Sequence, residues 1–264
     1  MVTFGDEMKM SPLNIERSGK GPCFVMVHGY LGGSSQWRAE VEALSPYLDV
    51  VTPDLPGFGK SNHLVSPDQI EGYARAVLTA VDSLGIDRFH LLGHSMGGMI
   101  VQEMVRLAPD RVNRLVLYAT GPLGLLPGRF ESMARSRERL AADGVDATGR
   151  RISVTWLYDQ EASSNAKLLG DLAAQASPQA AEAGLWAMER WDGRPHLPKI
   201  QQETLIVWGD QDRSYKWDQV ETLWRGIPGA SLSVVPRCAH AVHLDNPTIF
   251  QQLLKDFLLA PSRA

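Results

Sequence analysis

Leu91-Leu92-Gly93-His94-Ser95-Met96-Gly97-Gly98-Met99 is the stretch on which the reading of this chain turns. Phe89 to Leu92 is a short apolar run of the kind that forms a buried strand. Gly-x-Ser-x-Gly follows at once, and Met99, Ile100, Val101, Met104 and Val105 then recur at helical spacing. A strand, a tight turn and a helix in that order place a serine on a strained elbow, with its hydroxyl pushed out above a sheet. Gly93 and Gly97 lack a Cβ, so strand and helix can pass close beside the turn. The helix start sets backbone N–H groups and a positive dipole end next to that hydroxyl, where an oxyanion can be held. The plainer alternative, a glycine-rich turn entering a helix, leaves this context without a purpose.

Working outward, the same alternation recurs on both sides. Leu13-Asn14-Ile15 alternates weakly, as an edge strand would. Cys23–Val27 is continuously apolar, as expected of a strand buried on both faces. It runs into His28-Gly29-Tyr30-Leu31-Gly32-Gly33, after which Ser35 can cap a helix with Trp37, Val41 and Leu44 on its buried face. Val50-Val51-Thr52 leads into Asp54-Leu55-Pro56-Gly57-Phe58-Gly59-Lys60-Ser61, a structural turn in which Asp54 bonds local amides. Lys60-Ser61 does not open a helix after a buried strand, so this is no phosphate loop. Ser66-Pro67 is a helix-start signal, with an apolar face running from Ile70 to Leu84. Leu115 to Leu117 centres a further strand. Strands alternating with helices in this way make a parallel sheet with helices on both faces.

From Gly121 to His196 the buried-strand runs stop. Arginines alternate with apolar residues from Arg129 to Arg151 and alanine is frequent, which predicts three or four helices and, in this place, a lid. Trp156, Trp186 and Trp191 fall inside it. Most of its apolar stripe is expected to pack on the core, while these three are candidates for the wall of an apolar pocket. The core resumes with Thr204–Trp208, which ends in Gly209-Asp210-Gln211-Asp212. Leu232–Val235 and an amphipathic helix carrying Ile249, Leu253, Leu254 and Phe257 complete it.

These motifs, from about Leu13 to Leu259, resemble small, capped proteins of the α/β-hydrolase fold, a group with esterases, lactonases and carbon–carbon bond hydrolases. The likeness is weakest between Gly121 and His196. It implies a core domain of residues 1–120 and 197–264 and a helical cap of residues 121–196. In that family the nucleophile, the acid and the base follow in the order Ser, Asp, His. Ser95 matches the first. Asp212 matches the acid of Gly-x-x-Asp, with Asp210 as rival and Asp218 a more distant one. His240 matches the base, although Ala239 and Asp245 replace the usual Gly and Glu, and His243 is the alternative. His94, inside the elbow, reads as packing. The backbone N–H groups of Tyr30 and Met96 match the two oxyanion donors. The carbon–carbon hydrolases typically carry Trp soon after the histidine, where this chain has Ala241-Val242-His243. Arg194 is a candidate for holding a substrate carboxylate, against the plainer reading of a surface arginine.

The chemistry that follows is direct. A serine hydroxyl is a weak nucleophile until a base takes its proton, and an imidazole does so when a carboxylate holds its other nitrogen in the right tautomer. The expectation is hydrolysis of an ester, thioester or lactone of a small to medium apolar substrate. The alternatives are a carbon–carbon bond hydrolase or enol-lactonase of aromatic catabolism, a ligand-binding protein on the same fold, or a cofactor-free lyase. No metal or cofactor is called for. With 264 residues, 44% hydrophobic, and a net charge of -4 with the signs mixed, the chain has no nucleic-acid footprint. It lacks the run of roughly 20 apolar residues that spans a bilayer. Met1–Pro12 carries Asp6 and Glu7 and does not read as a signal peptide, so a cytoplasmic monomer or homodimer is expected. Cys23 and Cys238 read as free thiols.

Overall fold

The computed structural model describes residues 12–125 and 131–261; Arg129 and most of the N-terminal stretch lie outside them. Among the described residues, β1 (Ile15–Ser18), β2 (Cys23–Val27), β3 (Asp49–Pro53), β4 (Phe89–His94), β5 (Val112–Tyr118), β6 (Glu203–Gly209) and β7 (Ser231–Val235) form one sheet in the order β1-β3-β2-β4-β5-β6-β7. Only the edge strand β1 is antiparallel; each later pairing is parallel. β2 and β4 are buried along their whole length, which is why β2 reads as an unbroken apolar run and β4 as an apolar one interrupted only by His90 up to Leu92, rather than as alternations.

Their side chains still divide by face. Val25, Val27, Leu91, Leu115 and Leu117 join one core with helices α2 (Ile70–Ser83) and α3 (Met96–Leu107). Phe24, Met26, Leu92, Val116 and Tyr118 join the other with α1 (Arg38–Leu44) and α9 (Pro247–Leu258). Between β5 and β6 the chain forms α4 (Met133–Ser153), broken at Gly144, then α5 (Ala166–Ala173) and α6 (Pro178–Glu189), with short 3-10 turns between. α7 (Trp217–Gly226) and the single turn α8 (Val242–Asp245) follow β6 and β7. No helix among the described residues is long and apolar enough to cross a membrane. Cys23 and Cys238 are both free and buried.

Two local expectations are corrected and a third is extended. α2 begins at Ile70 and not at Pro67. Ser66 is drawn away from capping because its hydroxyl bonds the carbonyl of Pro56 and lies 3.1 Å from the Tyr73 hydroxyl. Ser35 caps nothing: Ser34–Trp37 is a 3-10 turn that runs straight into α1. Asp54 is not confined to local amides. It accepts from Lys60 N at 3.0 Å, but also from Ser34 N at 2.6 Å and Asn14 Nδ2 at 2.8 Å, tying three loops together.

One buried carboxyl gives the core a pH dependence. Glu40 of α1 is fully buried; Gln251 Nε2 donates to its Oε1 at 3.4 Å, while Oε2 has no hydrogen-bond partner among the described residues. Burial pushes its pKa up to about 7 from an ordinary 4.5. The folded state therefore holds this proton more tightly than the unfolded chain. Its stabilising contribution is complete below 4.5 and is lost as pH rises through about 7. Glu40→Gln is expected to gain stability over the native chain by on the order of 2–3 kcal/mol more at pH 8 than at pH 5. Denaturant melts of both proteins at the two pH values measure this; an equal difference at both would contradict it.

Candidate active site

β4 delivers Ser95 at φ 57°, ψ -120°, directly ahead of the first turn of α3. A serine in that region of backbone space is strained, and the surroundings hold it there. Ser95 N donates to Tyr118 O at 3.0 Å, and the Thr120 hydroxyl donates to Ser95 O at 2.7 Å. A Cβ on Gly93 would meet Gly97 O at 2.2 Å, and one on Gly97 would meet Val27 O at 2.4 Å. The crossing of β4, β2 and α3 thus admits only glycine at both places. The His28–Gly33 loop lies against the same point, since a Cβ on Gly29 would come within 2.9 Å of Ser95 Cβ.

Asp212 and His240 come from the loops after β6 and β7, and both are buried. Asp212 Oδ2 lies 2.9 Å from His240 Nδ1. Its other oxygen, Oδ1, accepts from Ser214 N at 2.7 Å and Tyr215 N at 3.1 Å. This carboxylate therefore meets a donor at each oxygen, the imidazole at one and two backbone amides at the other. It takes the proton on Nδ1, which leaves Nε2 of the imidazole as the acceptor. Asp210, the rival acid, is exposed, as is Asp218. His243, the rival base, is fully buried against Tyr118, whose hydroxyl lies 2.8 Å from its Nδ1. Burial pushes its pKa down to about 3.

His94 does more than fill space. Its Nε2 lies 3.1 Å from His240 O, its ring is 4.7 Å from the His240 ring, and it stacks on Tyr118 at 4.6 Å. A carbonyl only accepts, so His94 carries its proton on Nε2. Burial first, then the neighbouring His240 and His243, hold its pKa well below the usual histidine value. On its other side the His240 ring is stacked by Tyr215, at 5.7 Å. These contacts escaped the sequence reading because their acceptors are backbone carbonyls and their rings come from distant elements.

Ser95 and His240 both face an open cavity of about 600 Å³ lined by Tyr30, Met133, Ile152, Trp156, Met188 and Tyr215. A smaller one, about 290 Å³, reaches Ser95 and His240 from the side of Gln36, His94 and Leu169. Tyr30 and Trp156 line both. Of the three tryptophans expected at the pocket, only Trp156 is there, with its ring 5.9 Å from that of His240. Trp186 is held elsewhere by the Arg137 and Arg190 guanidinium groups, 3.6 and 4.8 Å from its ring. Trp191 is turned away because its indole N–H donates to Glu103 Oε1 at 2.9 Å. Arg194 is exposed and forks onto Asp192 at 2.9 and 2.6 Å.

A family model described as alpha/beta hydrolase fold matches residues 22–247. A 2-hydroxy-6-oxo-6-phenylhexa-2,4-dienoate hydrolase from Comamonas testosteroni is 32% identical, covering 93% of this chain and 91% of that protein. One of the same description from Burkholderia cepacia is 30% identical over the same shares. Among solved structures, a thermophilic esterase from Thermogutta terrifontis superposes with a TM-score of 0.85 at 25% identity, covering 94% of this chain and 93% of that one.

Proposed function

The chain belongs to the α/β-hydrolase fold family and is a hydrolase, and from that premise we propose that it cleaves a carboxylic ester, thioester or lactone through an acyl-enzyme on Ser95. The observation that carries this reading is the 2.9 Å contact of Asp212 Oδ2 with His240 Nδ1, with His240 facing the same cavity as Ser95. His240 takes the Ser95 proton as the hydroxyl attacks the acyl carbon. It then gives that proton to the leaving oxygen or sulfur. Water activated by the same imidazole releases the acid and restores the serine. Met96 N opens α3 immediately after Ser95, and Tyr30 N follows Gly29 in the loop packed on Ser95. These two amides hold the oxyanion. The helical insertion of residues 121–196 acts as the cap that shapes the substrate site.

A carbon–carbon bond hydrolase is the second reading, favoured by relatives 30% and 32% identical along nearly the whole chain. A panel of p-nitrophenyl esters from acetate to decanoate, with lactones and a 2-hydroxy-6-oxo-dienoate beside them, separates the two. Turnover of esters with acylation of Ser95 is the expected result. Turnover of the dienoate alone would replace the ester reading by the second one.

The cavity wall makes a further prediction. Trp156→Leu is expected to shift the preference between short and long acyl esters by about 1–3 kcal/mol, the scale of a methylene-sized change in a pocket. Trp186→Leu, outside the cavity, is expected to leave the ranking as it is. Catalytic efficiencies across the ester panel check both; equal profiles for Trp156→Leu and the native chain would remove Trp156 from the pocket wall.

A further inference from the structure

The insertion meets the two loops that carry Asp212 and His240 chiefly at one turn, residues 154–158, where the contacts are largely to backbone atoms, with Asn165 Nδ2 donating to Leu244 O at 3.1 Å besides. Arg213, next to Asp212, donates from Nη1 to Leu157 O at 3.0 Å and Thr155 O at 3.3 Å, and from Nη2 to Tyr158 O at 3.3 Å. Between these carbonyls, Trp156 O accepts from Ala241 N, next to His240, at 2.8 Å. Tyr158 N donates to both carboxylate oxygens of Asp245, at 3.1 and 3.2 Å, and Asp245 Oδ2 also takes Ala239 N at 2.8 Å. One turn of the insertion is therefore bonded on one side to the residue after Asp212 and on the other to Ala241 directly and to Ala239 through the Asp245 carboxylate.

The physical reason for an arginine here lies in the turn itself. Residues 154–156 form a 3-10 turn that continues the end of α4, so the carbonyls of Thr155 and Trp156 have no helical partner, while Leu157 O, just beyond the turn, also accepts from Gln160 N at 3.3 Å. They also carry the negative end of the helix dipole. A planar guanidinium presents several N–H groups in a fixed fork and can serve several such carbonyls at once, which a lysine's single ammonium centre does less well. Arg213 is half-buried, which shields these bonds from competing water.

We propose that Arg213 is a positioning residue, which latches the Trp156 turn to the loops bearing Asp212 and His240 so that cavity wall and acid–base pair are held as one body. The proposal rests on the reading of Ser95, Asp212 and His240 given above. A plain helix cap would add stability and nothing else. A latch predicts in addition that loosening the Arg213 side loosens the His240 side, which Arg213 does not bond, through Ala241 N and Trp156 O.

Arg213→Leu tests this by two readouts on the full chain. The first is kcat and KM on the p-nitrophenyl esters. The expected result is a fall in kcat of about 10- to 100-fold, the scale of ångström-level misplacement of reacting groups, with a much smaller change in KM. The second is amide hydrogen exchange in segments 154–158 and 239–245, expected to rise together. If Arg213→Leu does not fold, Arg213→Gln, which also lacks the fork, is measured the same way. A folded variant whose exchange rises only in 154–158, or that keeps the native kcat, overturns the latch. If the native chain hydrolyses no ester, the ester reading falls, and exchange in 239–245 alone decides the coupling.

Discussion

Ser95→Ala is expected to lower ester turnover by on the order of a millionfold, the cost of losing the nucleophile in a triad of this kind. The fold should survive it. Serine already sits at φ 57° with a Cβ, and alanine asks for the same backbone at the same strain, with one oxygen fewer. The bonds that staple the elbow use Ser95 N and O rather than its hydroxyl, so they persist. The substitution therefore separates chemistry from structure. Turnover of the p-nitrophenyl esters is measured beside the melting temperature, and intact-mass spectrometry follows the acyl adduct in the native chain and its absence in the variant. A folded Ser95→Ala protein with turnover within tenfold of the native chain would mean that Ser95 is not the nucleophile.

Asp212→Asn is expected to cost about ten-thousandfold in kcat, the effect of a base held in the wrong tautomer. The local bonding fixes why. Ser214 N and Tyr215 N both point at Oδ1, so an asparagine must turn its carbonyl oxygen toward them. Its NH₂ then faces His240 Nδ1, which becomes an acceptor and moves the imidazole proton to Nε2. A protonated Nε2 cannot take the proton of Ser95. Asp210→Asn is the control: that side chain is exposed, and a surface change of this kind should leave kcat close to native. Ranking the two variants by kcat, each verified as folded, assigns the acid. A greater loss in Asp210→Asn would transfer the role to Asp210.

The legible part of this protein is the part whose causes are local. The unbroken apolar run at Cys23–Val27 and the mainly apolar one at Phe89–Leu92, which holds His90, mark strands because both faces of a parallel sheet are covered, and they are so here. The pairing of Gly93 with Gly97 around Ser95 marks a sharp elbow because a side chain at either place would collide with backbone. The helix starts were less legible. Ser66-Pro67 carries the right signal, yet the Ser66 hydroxyl is taken by Pro56 O, a contact that exists only once the chain has folded. A strong local pattern lost to a tertiary partner in that case.

The same division runs through the site. The sequence by itself determined the sheet, the elbow and a short roster of candidates, since strand periodicity and turn sterics act over a few residues. It could not choose among Trp156, Trp186 and Trp191, which have the same hydrophobicity; Arg137, Arg190 and Glu103 made that choice by holding two of them elsewhere. Nor did it show His94 against the His240 carbonyl or Arg213 on the 154–158 turn. Those bonds end on backbone oxygens, which every residue carries, so no side-chain pattern encodes them. Only the tertiary structure decides which carbonyl a guanidinium or an imidazole will reach, because that depends on how distant loops are brought together over the sheet.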